Sequence, residues 1–111
     1  LSKVNFIDLP YYYSAADLLL LTSKSEGSPN VIKEAMACNC PIVSTDVGDV
    51  RDVISKTNGC YISSFDPKDV AEKIILAIKH ERRTNGRMKM DKFSAKVIVE
   101  KIINAYKSCV K

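Results

Sequence analysis

Residues 25–48 read SEGSPNVIKEAMACNCPIVSTDVG, which places two carboxylates, Glu26 and Glu34, eight positions apart. A helix is predicted to begin here, with Ser28 as its cap and Pro29 at its first position, because proline has a helical φ and lacks an N–H that would have no partner there. Glu26 then lies in the loop before the helix, and Glu34 lies inside it. The helix N-terminus between them favours an anion. The stretch therefore predicts a site with a hydroxyl acceptor at each end and a phosphate site in the middle.

Strand-like and helix-like segments alternate on both sides of this stretch. Strands are predicted at residues 4–8, 17–23, 41–45 and 59–63. Helices are predicted at residues 10–16, 28–39 and 49–55, from Asp66 to a stop at Asn85-Gly86, and onward from a capping Ser94. The strand at 17–23 is a continuous apolar run, as in strands that are buried on both faces. This alternation predicts an α/β fold in which a Rossmann-like parallel sheet carries helices on its faces.

Three finer features of the helices follow from residue type and spacing. Asn39 falls where the helix of residues 28–39 should stop, and asparagine tolerates the left-handed conformation that often follows a helix. Asp66 is a fitting N-cap because Pro67 follows it at the first helical position. The apolar residues of that later helix recur at the spacing of one helix face, and they are Val70, Ala71, Ile74, Ile75, Ala77 and Ile78. This stripe is predicted to pack against the sheet.

The loops that follow two of the predicted strands should lie at one edge of the sheet. Glu26 follows the strand at 17–23, and residues 46–48 follow the strand at 41–45. Ligands of open parallel sheets bind beyond the carboxyl ends of the strands. The sheet therefore gives an independent reason to place the site at this edge.

Nearly the whole chain resembles the C-terminal, donor-binding domain of retaining GT-B glycosyltransferases of the Glu-x7-Glu class, the group 1 type. The resemblance is carried by segments that occupy the positions of the family pattern: Asp17 to Ser23, Glu26-Gly27, Glu34 to Ala37, Pro41 to Thr45, and Gly48. The order of the predicted site, hydroxyl acceptor, phosphate site and hydroxyl acceptor, is also the order of sugar, diphosphate and ribose in a nucleotide sugar. The resemblance implies that such a donor is the ligand.

The resemblance also implies roles for individual residues. Glu26 would contact the donor sugar hydroxyls and is the catalytic candidate, and Glu34 would contact the ribose. The other residues expected at the donor are Gly27, Ser28, Pro29, Asn30, Val31 and Gly48. No metal or other cofactor is expected, because this class stabilises the leaving diphosphate with positive groups and a helix dipole. Relatives often carry Phe-Gly where Ser28-Pro29 stand, so the choice of sugar does not carry over.

Several residues have a structural interpretation beside the functional one. Gly48 is either a turn glycine or a position that lets a ligand approach closely. The three tyrosines at 11–13 are expected to pack against a helix rather than to stack a nucleobase. Lys33 is expected to be solvated rather than bound to phosphate, and Asp49 to be a carboxylate at a helix start. His80, the only histidine, is expected to be solvated.

Composition and charge restrict the cellular setting. The chain has 111 residues, 46% of them hydrophobic, and no apolar run near the roughly 18 residues that cross a bilayer. Residues 1–65 carry a net charge of -2 and residues 66–111 a net charge of +6. The basic half is interpreted as a solvated face, with peripheral contact to an anionic membrane as the alternative and no nucleic-acid binding, since no aromatic platform accompanies it. The four cysteines match no zinc or redox spacing, which favours reduced thiols and a cytoplasmic protein, with the inner membrane face as an option.

The chain is interpreted as part of one donor-binding domain, with strands and helices in residues 1–65 and C-terminal helices in residues 66–111. The resemblance implies that a complete enzyme also has an N-terminal acceptor domain, and earlier strands of the donor domain that carry an Arg or Lys pair to bind the diphosphate. Residues 1–111 contain neither, so on their own they are expected to transfer no sugar. A bare sheet edge also predicts self-association. The alternatives are a non-catalytic interaction module of GT-B origin and a receiver-like nucleotide-binding module. The second fits poorly, because Asp17 begins its strand where a phosphorylated aspartate would end one.

Overall fold

A computed structural model of the chain describes residues 5–80, 83–90 and 95–109. Its strands are β1 (Leu19–Leu21), β2 (Ile42–Thr45) and β3 (Cys60–Ser63). Its helices are α1 (Leu9–Ala15), α2 (Asn30–Ala37), α3 (Val50–Ile54), α4 (Pro67–Lys79), α5 (Gly86–Lys89) and α6 (Ala95–Cys109), and a short 3-10 helix at Phe6–Asp8 precedes α1. Strands and helices thus alternate along the first two thirds of the chain, as predicted.

The three strands form one parallel sheet in the order β1-β2-β3. Leu19 pairs with Ile42, and Ile42 pairs in turn with Cys60. The carboxyl ends of all three strands therefore meet at one edge of the sheet. This arrangement confirms the Rossmann-like α/β fold with flanking helices.

The main core lies between β2 and the helices α2 and α3. Its buried members are Ile32, Ala35, Met36, Cys40, Ile42, Val47, Val50, Val53 and Ile54. Val43 alternates with Ile42 along β2 and is fully buried, although it does not belong to this cluster. Helix α4 packs against β2 and β3, and the next residue on the Val43 side, Thr45, shares a cavity with Val70 of α4. The sheet is therefore covered by α2 and α3 on one face and by α4 on the other.

Two predicted helix boundaries are confirmed by their geometry. The carboxylate of Asp66 accepts a hydrogen bond from the backbone N–H of Lys68 at 3.1 Å, and Pro67 opens α4. Asn39 has a φ of 55°, in the left-handed region, after α2 has ended at Ala37. Asp66 acts through its side-chain carboxylate and Asn39 through its tolerance of a positive φ, and both are properties that short sequence patterns reveal.

The predicted strand at residues 4–8 is wrong in its described part, while Val4 lies outside the described residues. Phe6–Asp8 is a 3-10 helix, in which the Asp8 N–H donates to the Asn5 carbonyl at 2.9 Å. The apolar run Phe6-Ile7 is too short to specify a strand, and the chain continues directly into α1, which has Pro10 in its first turn. The turn therefore extends the helix toward the N-terminus.

The expectation that β1 is buried on both faces is also wrong for the described residues. Leu20 is 45% exposed, whereas Leu19 and Leu21 contact the core. The apolar stripe of α4 is only partly packed, because Ala77 is buried while Ile75 and Ile78 are exposed. An apolar run predicts the strand or the helix, but it does not reveal which faces the rest of the fold covers.

The boundaries of two helices differ from the prediction. Pro29 is the N-cap of α2 in an extended conformation, with ψ 120°, so the helix begins at Asn30 rather than at Pro29. Asn85-Gly86 does not end α4, which stops at Lys79, but begins the short helix α5. The predicted cap Ser94 lies outside the described residues.

Candidate functional site

The loop after β1 and the turn after β2 are in direct contact at the carboxyl edge of the sheet. The Gly27 carbonyl accepts the Asp49 N–H at 3.1 Å. Gly48 has a φ of +51°, and a Cβ on it would overlap the Gly27 carbonyl and lie 2.7 Å from the Glu26 carbonyl oxygen. Only glycine fits this conformation and this backbone approach. The structure thus explains Gly48 by its contact with the Glu26-Gly27 loop.

A polar side-chain network joins the same loop to the start of α2. The Lys33 ammonium donates to the Ser28 hydroxyl oxygen at 2.6 Å, and that hydroxyl donates to Asp49 Oδ2 at 2.7 Å. Lys33 Nζ lies 3.8 Å from the same carboxylate oxygen. The prediction that Lys33 is solvated is therefore wrong, because its ammonium contacts Ser28 and Asp49. The prediction that Ser28 caps α2 is also wrong, because its hydroxyl donates to Asp49 instead and Pro29 is the N-cap. Asp49 is the N-cap residue of α3, but its side chain accepts no capping hydrogen bond from that helix.

Glu26 lies in the loop after β1, and it is exposed. The Ser23 hydroxyl donates to Glu26 Oε1 at 3.1 Å. The Ser23 carbonyl itself accepts a hydrogen bond from the buried Thr45 hydroxyl at 2.6 Å. Ser23 thereby joins the segment after β1 to the end of β2, and its hydroxyl holds the Glu26 carboxylate at the carboxyl edge of the sheet.

Glu34 is half-buried on α2 and faces α1. The Tyr13 hydroxyl donates a hydrogen bond to Glu34 Oε2 at 2.8 Å. The two side chains line a cavity of about 160 Å³ whose other walls are Leu9, Pro10, Ala37 and Cys38. Burial is the main cause that raises the pKa of Tyr13, and the hydrogen bond to the Glu34 carboxylate raises it further. The Tyr13 hydroxyl therefore stays protonated and donates.

The tyrosine cluster separates into two environments. Tyr13 packs against the main core as expected. Tyr11 and Tyr12 are 74% and 45% exposed, so the expected packing is wrong for these two rings. They extend from one short helix, and only one of its faces meets α2.

The predicted site residues fall into two groups. Gly27, Ser28 and Gly48 form one connected cluster beside the start of α2 through their contacts with each other and with Asp49, which was not a predicted site residue. Pro29 is buried there, and Asn30 and Val31 are exposed. Glu34 lies farther along α2 and faces Tyr13 instead. Within the described ranges, no hydrogen bond or ion pair connects Glu26 with Glu34.

Two residues outside the predicted site make contacts that the sequence did not indicate. The Arg83 guanidinium donates to the carbonyls of Tyr13 at 2.7 Å, Ala16 at 2.7 Å and Cys38 at 3.1 Å, and so joins the ends of α1 and α2. His80 is half-buried rather than solvated, because its ring packs over Gly59, where a Cβ would lie 2.9 Å from His80 Cδ2. Both contacts join residues far apart in sequence, which local patterns do not reveal.

The described part of the chain lacks two other kinds of site. None of its helices combines the length and the apolar character needed to cross a membrane. No group of three His, Cys, Asp or Glu side chains among the same residues is arranged to hold a metal ion.

Comparison with known proteins gives a consistent family. The family model described as glycosyl transferases group 1 matches residues 2–80. An uncharacterised glycosyltransferase of Methanocaldococcus jannaschii is 34% identical over 100 residues, which cover 85% of this chain and 28% of that protein. A capsular polysaccharide biosynthesis glycosyltransferase of Staphylococcus aureus is 32% identical over 107 residues, covering 90% of this chain and 28% of that protein.

A third relative carries a different name. The N-acetyl-alpha-D-glucosaminyl L-malate synthase of Bacillus anthracis is 32% identical over 96 residues, covering 84% of this chain and 25% of that protein. The chain thus spans about a quarter of the length of these curated relatives. No solved structure matches it significantly. With its parallel sheet and a family match over most of its length, the chain belongs to the group 1 glycosyl transferases.

Proposed function

We propose that the protein is a glycosyltransferase that moves a sugar from a nucleoside-diphosphate sugar to a glycan acceptor. One observation carries the proposal: the Glu26-Gly27 loop and the Gly48 turn meet beside the N-terminus of α2, at the carboxyl edge of a parallel sheet. Open α/β sheets bind nucleotides at this edge, and a helix N-terminus suits a diphosphate. The names of the relatives, among them a capsular polysaccharide glycosyltransferase, support sugar transfer.

In this proposal each part of the donor has its own residues. Glu26 contacts the sugar hydroxyls beside the reacting carbon, and Glu34 contacts the ribose. The diphosphate lies against the backbone at the start of α2, where free N–H groups stabilise the charge that develops on the leaving group. No metal takes part, and the reaction retains the configuration of the sugar. Magnetic resonance of the first-formed product tests retention, and donor binding in the presence of a chelator tests independence from metal.

The ribose role is tested by titration of the full-length protein with nucleoside diphosphates. We expect Glu34→Ala to weaken nucleoside diphosphate binding by about tenfold or more, since a hydrogen bond to a charged group contributes about 1.5–3 kcal/mol. Asp52→Ala is the matched control, because Asp52 is an exposed carboxylate on α3 without a hydrogen bond to another described residue. Unchanged affinity in Glu34→Ala would refute the ribose role.

Two further proposals concern partners of the protein. We propose peripheral contact with an anionic membrane on the cytoplasmic side, supported by the +6 charge of residues 66–111 and by the exposed Val99 and Ile102 on α6. Sedimentation with vesicles tests this contact. Binding to vesicles with a third phosphatidylglycerol, and not to pure phosphatidylcholine, is expected, whereas equal binding to both contradicts it.

We also propose that residues 1–111 on their own transfer no sugar and self-associate. The matched relatives are several times longer, and among the described strands β1 pairs only with β2 and exposes Leu20. An unpaired strand edge favours pairing with another chain. Sugar transfer by this polypeptide, or a strictly monomeric mass in light scattering at high concentration, would contradict the respective proposal.

A further inference from the structure

Tyr13 and Glu34 form a hydrogen-bonded pair across two helices. The Tyr13 hydroxyl on α1 lies 2.8 Å from Glu34 Oε2 on α2, and the pair is partly buried. The terminal torsion of a glutamate side chain has a broad energy minimum, so the plane of a carboxylate is set by its partners. We propose that Tyr13 is a positioning residue that orients the Glu34 carboxylate for the two ribose hydroxyls of the donor. This inference rests on the proposed function.

The chemistry of the pair leaves Glu34 able to accept further bonds. An ionised carboxylate accepts at about four lone-pair positions, and Tyr13 uses one of them on Oε2. The tyrosine can only donate to this ionised carboxylate, so it occupies one acceptor position and leaves about three for the donors of a ligand. A cis-diol such as ribose offers two hydroxyl donors, which suit the remaining positions of a carboxylate in a fixed plane.

Tyr13 is itself held in place by the protein. Its carbonyl accepts a hydrogen bond from Arg83 Nη2 at 2.7 Å, and the same guanidinium binds the carbonyls of Ala16 and Cys38, just beyond the ends of α1 and α2. Its ring packs against the main core. A ligand contact held by rigid elements needs little reordering on binding, which is the general advantage of preorganisation.

The test measures recognition of the ribose rather than binding alone. The full-length protein is titrated with UDP, GDP and ADP, and the tightest of these is compared with its 2′,3′-dideoxy form. We expect the wild-type protein to prefer the ribose form by about tenfold or more. Tyr13→Phe should reduce that preference about fivefold, the size of a typical net hydrogen-bond contribution. The affinity of Tyr13→Phe for the dideoxy form should stay within about twofold of wild type.

Two controls separate positioning from a general structural effect. Tyr12→Phe removes a hydroxyl from the neighbouring, exposed residue of α1, and it should leave the preference unchanged. In a Glu34→Ala background, Tyr13→Phe should have no further effect on the preference, because coupled residues are not additive. A thermal unfolding curve for each variant verifies that it is folded.

The outcomes distinguish the inference from the proposed function. If the wild-type protein prefers the ribose form and folded Tyr13→Phe keeps the full preference, the positioning role is refuted and the donor site stands. If the wild-type protein binds no nucleoside diphosphate, or binds both forms equally, the ribose role of Glu34 is refuted and the role of Tyr13 falls with it.

Discussion

Gly48 is the residue through which the two loops of the candidate site touch. Its φ of +51° belongs to the left-handed region, and its Cα faces the Gly27 carbonyl with no room for a Cβ. The contact also brings the Asp49 N–H to the Gly27 carbonyl. The shape of the candidate site therefore depends on a glycine whose role is a backbone contact between its two loops.

Gly48→Ala should accordingly destabilise the protein. We expect the free energy of unfolding to fall by at least about 2 kcal/mol. A residue with a Cβ is strained at this φ, and its Cβ would overlap the Gly27 carbonyl. Gly27→Ala is the matched control, because a Cβ there meets nothing within 4 Å. Urea denaturation of the two variants measures the difference, and equal stabilities would show that the loops do not touch in this way.

At the scale of residues, sequence and structure agree in part. Glu26, Gly27 and Gly48 could be placed at one sheet edge because a strand end and a glycine turn are local patterns. The partners of Lys33 and Glu34 could not be predicted, since Asp49 and Tyr13 come from other elements. Which hydroxyl meets which carboxylate depends on the packing of α1, α2 and the loops, and this packing is not encoded in any short stretch.

Helix α2 is the element that connects the core to the candidate site. It buries Ile32, Ala35 and Met36 against β2 and α3, while its start and Lys33 contact the loops at the sheet edge. Packing of its inner face thus fixes the position of its N-terminus. The spacing of its apolar residues made α2 predictable, and the continuous apolar run of β2 made that strand predictable. The segment Phe6–Asp8 has too few apolar residues in a row to distinguish a 3-10 helix from a strand.

Two neighbouring residues of α2 provide a test of this packing. Ile32 is 1% exposed and Val31 is 37% exposed. We expect Ile32→Ala to lower the free energy of unfolding by about 2–5 kcal/mol, because it leaves a cavity, and Val31→Ala by less than about 1 kcal/mol. Chemical denaturation measures both. Similar losses for the two variants would show that α2 is turned differently from its position here.

Helix α4 carries a pH-dependent contact in its first turn. The Asp69 carboxylate accepts hydrogen bonds from the Lys73 ammonium at 2.9 Å and from the Ser64 N–H at 2.6 Å. These bonds lower the pKa of Asp69 from 3.8 to about 2, and the bond from Lys73 makes the largest contribution. A lowered carboxyl pKa stabilises the fold at pH values above 3.8, and this contribution is lost as the pH falls through about 2.

Asp69→Asn should therefore be less stable than the wild-type protein at neutral pH, and the difference should shrink as the pH falls from 4 toward 2. Thermal unfolding across this range measures the change. Asp52→Asn serves as the control, since the exposed Asp52 carboxylate forms no hydrogen bond to another described residue. A difference between Asp69→Asn and wild type that stays constant with pH would exclude the ionised contact as its cause.

At the scale of the whole molecule, Arg83 links the segment after α4 to the first two helices. Its guanidinium binds three carbonyls, at Tyr13, Ala16 and Cys38. The alternation of strands and helices predicted the parallel sheet, but not this link, because it joins residues separated by up to 70 positions. A local pattern carries no information on such contacts.

Arg83→Met should loosen this link. Because the side chain is exposed, we expect a loss of only about 1–2 kcal/mol in the free energy of unfolding, despite three bonds to a charged group. Arg87→Met removes the same charge from an exposed arginine on α5, whose side chain bonds to no described residue, and it should have almost no effect. Equal stabilities of the two variants would exclude the link as a stabilising contact.

In the proposed function, a nucleotide sugar binds at the carboxyl edge of the sheet, across the start of α2. A crystal structure of the full-length protein with the nucleotide sugar that it binds most tightly would show where this donor lies. We expect sugar hydroxyls within hydrogen-bond distance of Glu26, the diphosphate at the N-terminus of α2 and the ribose at Glu34. A donor bound at another face, or one whose ribose and sugar contact neither carboxylate, would contradict it.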